Sequence, residues 1–106
     1  MLFEVGKTSD VPEGEVRRFV VDRIEIAVAN LGNGEFVAVD DICSHAEASL
    51  SEGEVDVDME TIECPRHGST FDLRSGKPRT LPATVPIAIF PVKVEGDTLL
   101  IELEDR

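Results

Sequence analysis

The feature that most constrains this chain is a pair of short clusters. Cys43-Ser44-His45 is followed, after eighteen residues, by Cys64-Pro65-Arg66-His67-Gly68. Both cysteines and both histidines of the 106-residue protein fall in these two clusters. Four soft or borderline ligands in two tight pairs, with no others elsewhere, read as a metal site. The fold must therefore bring two loops, distant along the chain, to one point. Cys43 and His45 alternate with one intervening residue, so in extended backbone their side chains share a side. Cys64 and His67 flank Pro65-Arg66, which suits a turn.

The flanking sequence predicts strands to carry those loops. Residues 2–5 read as a short edge strand, and residues 7–15, with Asp10, Pro12 and Gly14, as loop. Residues 15–21 are strand-like and end at a tight turn on Asp22-Arg23. Ile24, Ile26 and Val28 then alternate with Glu25, Ala27 and Ala29, the pattern of a half-buried strand. Gly32-Asn33-Gly34 is a turn, and the strand of residues 35–39 leads straight into Cys43. Between the ligand pairs, Val55 and Val57 followed by Thr61-Ile62-Glu63 predict a small hairpin. Ser75-Gly76-Lys77-Pro78 is a turn, and residues 81–86 are too proline-rich for a central strand. Residues 87–94 form a strand, Glu95-Gly96-Asp97 a turn, and Leu99, Ile101 and Leu103 the apolar face of a last strand. No segment keeps a helical period. The expectation is an all-β chain.

Composition narrows the function. A formal charge of −12 argues against nucleic acid and against anionic membrane surfaces. It favours attraction to a basic partner. No stretch approaches a membrane span, and the first residues lack the long apolar run of a signal peptide. A cytoplasmic location is the default, and in a reducing compartment two thiols hold a metal more readily than they form a disulfide.

A single zinc could take all four ligands as a Cys₂His₂ tetrahedron. Familiar zinc modules, however, pair Cys with Cys and His with His. Mixed pairs suit a two-iron cluster, with Cys43 and Cys64 on one iron and His45 and His67 on the other. Together with Phe71-Asp72, the two clusters resemble the Rieske [2Fe–2S] motif. Gly76-Lys77-Pro78, Leu81-Pro82-Ala83 and the run from Pro91 to Asp97 are similar to the small Rieske ferredoxins of ring-hydroxylating dioxygenase systems.

The resemblance implies antiparallel Rieske-type sheets or a barrel, as one domain over residues 1–106, with a cluster-binding subdomain inserted at about 41–86. It implies one [2Fe–2S] cluster and a soluble monomer that is not itself an enzyme. Such a carrier takes one electron from a flavin-dependent reductase and passes it to a terminal aromatic-ring dioxygenase. His45 and His67, at the exposed tip in the family, are the candidate exit for the electron. Membrane-complex relatives carry an extra cysteine in each loop, and the matching positions hold Ala48 and Arg66. That places the chain with the low-potential branch, within a family range of roughly −150 to +300 mV. In the high-potential branch the residue matching Ser69 donates a hydroxyl to the cluster and a Tyr stands where Phe71 stands. Here the serine is kept and the Tyr hydroxyl is absent. Pro82 and Pro86 match a family segment that shields the cluster from a third side.

The chain has no Gly-rich dinucleotide motif and no histidines left for a mononuclear iron, so it neither oxidises NADH nor forms a complete oxygenase. Two alternatives are a structural small subunit of an assimilatory nitrite reductase and a zinc-stabilised interaction module. Nine acidic residues lie from Asp40 to Glu63, and Arg66, Arg74, Lys77 and Arg79 follow, which reads either as a docking rim of mixed sign or as ordinary solvated loops.

Overall fold

Turn chemistry sets the order of elements in this computed structural model, which is described over residues 1–43, 48–66, 68–81 and 83–103. Asp22 and Arg23 adopt φ of 49° and 69° and join β2 (Val16–Val21) to β3 (Ile24–Gly32). Asn33 and Gly34, at 55° and 77°, join β3 to β4 (Glu35–Asp40) in the same way. Two successive left-handed residues match the right-handed twist of a hairpin, and Asp22, Asn33 and Gly34 are residue types that tolerate them.

Three antiparallel sheets result. The largest has the order β2-β3-β4-β8, with β8 at Ile89–Phe90. The second has the order β1-β10-β9, from Leu2–Lys7, Thr98–Glu102 and Val92–Glu95. The third and smallest has the order β5-β6-β7, from Val55–Asp56, Thr61–Glu63 and Thr70–Asp72. The all-β expectation holds, and no helix among the described residues is long and apolar enough to cross a membrane.

β3 departs from the half-buried strand predicted for it. Its two faces are both covered. Ile26 and Val28 enter a core shared with Leu99, Ile101 and Leu103 of the second sheet's side. Ala27 and Ala29 enter another core with Cys43, Cys64, Ile62 and Phe71. The alternation was therefore large against small, not buried against exposed. Small alanines let the loops and the third sheet approach that face closely.

Residues 87–94 are not one strand. Pro91 separates β8, which pairs with β4, from β9, which pairs with β10. Proline offers no N–H to a ladder, but its carbonyl accepts the Glu102 N–H at 3.0 Å. The chain thus changes sheets at that residue.

The hairpin expected between the ligand pairs is present, and β7 extends it to three strands through the register Val55, Ile62, Phe71. A single 3₁₀ turn at Thr8–Asp10 stands in the stretch read as loop, and a second at Leu50–Glu52 precedes the small hairpin. Gly53 ends the second of them, and a Cβ built there would lie 1.7 Å from the Glu63 carbonyl oxygen. Only glycine lets the chain pass that close to β6.

Candidate metal centre

Cys43, shortly after β4, and Cys64, directly after β6, meet in one core. Cys43 is 3% and Cys64 0% exposed, both within the apolar cluster of Leu50, Ile62, Phe71 and Leu73. No disulfide joins them. The structure thus buries both sequence-predicted thiols together. His45 and His67 lie outside the described residues, as does Pro82.

Each cysteine stands at the base of a closed loop. The Cys43 N–H donates to the Ala48 carbonyl at 3.0 Å, Ile42 bridges Ser49, and the Leu50 N–H donates to the Asp41 carbonyl at 2.7 Å. Residues 41–43 and 48–50 therefore form a short antiparallel ladder. The Cys64 N–H donates to the Ser69 carbonyl at 2.7 Å, and the Gly68 N–H returns to the Cys64 carbonyl at 3.0 Å. Gly68 takes φ of 74°, the reversal this tight turn needs.

Asp41 braces the first loop and was not foreseen. Its carboxylate is fully buried. It accepts the Ser49 hydroxyl and, at 2.8 Å, the Ser51 N–H. Arg18 Nε stands 3.5 Å away. The Arg18 guanidinium also donates to Glu25, and this hydrogen bond holds it above its ordinary basicity. An aspartate two positions before a cysteine carries no local signal of burial, because its partners lie eight to twenty-three residues away.

Ser69 is fully buried, and its Oγ accepts the Ala83 N–H at 3.1 Å. Accepting that bond leaves the hydroxyl its own proton to donate. The same contact fixes Ala83 against the second loop, and the Ile87 N–H donates to the Gly76 carbonyl at 2.9 Å. Phe71, also fully buried, adds bulk without a hydroxyl. Ile42, next to Cys43, is 45% exposed, and Leu81 and Val85, which flank Ala83, are 77% and 57% exposed.

The basic residues after Cys64 divide. Arg74 pairs with Glu60 at 2.9 Å and Glu35 at 2.6 Å, and Arg79 pairs with Asp72 at 2.8 Å. Arg79 donating to its carboxylate, helped by the backbone of Ser75 and Arg74, holds Asp72 below the usual aspartate range. Glu60 is lowered in the same way by Arg74. Arg79 ties β7 to the stretch that follows it, Arg74 links the small sheet's end to β4, and both are spent within the protein.

Two thiolates alone would be costly in this apolar setting. Two ferric ions and two sulfides carry a charge of about +2, which two thiolates cancel. The donor set and its burial therefore fit a [2Fe–2S] core.

Comparison with known proteins agrees. The Rieske [2Fe-2S] domain family matches residues 1–91, and the chain belongs to that family. The chain is 47% identical over 97 residues to the 3-phenylpropionate/cinnamic acid dioxygenase ferredoxin subunit of Escherichia coli K12, covering 92% of this chain and 89% of that one. The ferredoxin of carbazole 1,9a-dioxygenase from Nocardioides aromaticivorans IC177 superposes with a TM-score of 0.93 at 32% identity, covering 98% and 99% of the two chains. A chain from the complex of reduced oxygenase and oxidized ferredoxin in carbazole 1,9a-dioxygenase gives 0.84 at 39% identity, covering 94% and 100%. The protein is an electron carrier of the ferredoxin class and binds one [2Fe–2S] cluster.

Proposed function

We propose that Cys43 and Cys64 hold one iron of the cluster and His45 and His67 the other. The chain then carries one electron from a flavin-dependent reductase to the terminal oxygenase of an aromatic-ring dioxygenase system. The observation that carries this reading is the burial of both thiols in one core, each at the base of a hydrogen-bonded loop. The kinship with a dioxygenase ferredoxin subunit and the likeness to a ferredoxin seen with its oxygenase support the partners.

When bound, the cluster supplies a site that takes up and returns one electron. The protein's own residues do the rest. Leu50, Ile62, Phe71 and Leu73 keep water from the sulfur side. Ser69 is placed to donate its hydroxyl proton toward the second loop's ligand. Ile42, Leu81 and Val85 give the neighbouring surface an apolar contact that can be made and released. Residues 41–86 serve as the cluster-bearing subdomain, and the remainder of a single domain serves as its base. The ligand loops without the extra cysteines of the membrane-complex relatives support a cytoplasmic setting.

The test is reconstitution. Purified protein with iron and labile sulfide should restore electron flow between such a reductase and an aromatic-ring oxygenase, and Cys64→Ser should abolish it. Full turnover with a chain that binds only zinc would refute the proposal.

A further inference from the structure

Asp41 is the one fully buried carboxylate among the described residues, and it stands at the base of the first ligand loop. Its backbone carbonyl accepts the Leu50 N–H, while its side chain crosses the same ladder to the Ser49 hydroxyl and the Ser51 N–H. Main chain and side chain together tie Asp41 to residues 49–51. Burying a carboxylate is costly unless it is hydrogen bonded and paired. Here the pairing is partial. Arg18 stands 3.5 Å from it, is 46% exposed, and is shared with Glu25. One cation between two carboxylates leaves a net negative charge, and its buried part, the Asp41 carboxylate two residues before Cys43, is the part that solvent screens least.

We propose that Asp41 is a positioning residue that also sets the reduction potential. It clamps the first ligand loop by hydrogen bonds and, as a fixed buried negative charge, opposes arrival of the electron. Arg18 is its counterweight, raising the potential by offsetting that charge. This rests on the proposed ligation by Cys43. Iron content of Cys43→Ser tests the ligation separately, so the two ideas can fail independently.

The experiment is a spectroelectrochemical titration of holoprotein carrying Asp41→Asn or Arg18→Gln. Asp41→Asn should favour reduction by about tenfold, ~59 mV for one electron. Arg18→Gln, at a half-exposed site, should disfavour it by a smaller factor, with the electron paramagnetic resonance line shape of the reduced cluster unchanged. Opposite signs support the proposal, because loosening of the loop alone would move both variants the same way. Shifts of equal sign, or no shift in either, overturn it. Should Asp41→Asn fail to assemble a cluster, Arg18→Gln decides alone: a lowered midpoint supports the proposal, and an unchanged or raised one overturns it.

Discussion

The two sides of β3 are built by different means. On one side, long ladders close a core of branched aliphatics between the β2-β3-β4-β8 and β1-β10-β9 sheets. On the other, strands of two or three residues are held by glycine contacts, a few ion pairs and two buried thiols. The first side can fold on hydrophobic burial alone. The second has shorter ladders, and the proposed ligation would add what the strands lack.

Removing the cluster should break the symmetry of the two sides most. In Cys64→Ser, or after chelation under reducing conditions, amide exchange should accelerate across residues 55–72 and stay slow across 24–40. Equal loosening on both sides would mean that the base, too, depends on metal. Next in size, Ile101→Ala should lower unfolding stability by about 3 kcal/mol and leave the midpoint potential unchanged, since that side chain fills the base core. A shifted potential would show the sides to be coupled.

Gly53→Ala should cost about 2 kcal/mol through its collision with the Glu63 carbonyl. Its effect should appear first as weaker cluster retention. Ser69→Ala should lower the midpoint by about 60 mV, a tenfold change for one electron. An unchanged midpoint would confine Ser69 to its bond with Ala83.

The smallest effect concerns acid. Asp72 titrates below its ordinary value of 3.8 when folded, chiefly because Arg79 donates to it. Its contribution is therefore full above that value and is lost as pH falls through the lowered one. Asp72→Asn should flatten the loss of stability below about pH 4, by under about 1 kcal/mol. An acid limb identical to the native protein's would assign that limb to other carboxylates.

Much of this was legible in the chain. The hairpin turns are written in Asp22, Asn33 and Gly34, residue types that tolerate positive φ, and both cysteines of the motif are buried in one core. What escaped depended on distant partners. Ala27 and Ala29 looked like the exposed face of β3 because alternation reports size and polarity, not what covers each face. Thr70-Phe71-Asp72 was absorbed into the motif, although it pairs with Thr61-Ile62-Glu63. Pro91 did carry a signal, since a residue without an N–H is a natural place to leave one sheet for another. Asp41 carried none, because its burial depends on Ser49, Ser51 and Arg18 meeting it in space.

The central claim is tested most directly by nitrogen hyperfine spectroscopy of the reduced holoprotein. The account predicts one [2Fe–2S] cluster per chain with two coordinating imidazole nitrogens, both lost together with the cluster's colour in Cys43→Ser. A reduced cluster without nitrogen coupling, or a colourless protein holding one zinc, would contradict it.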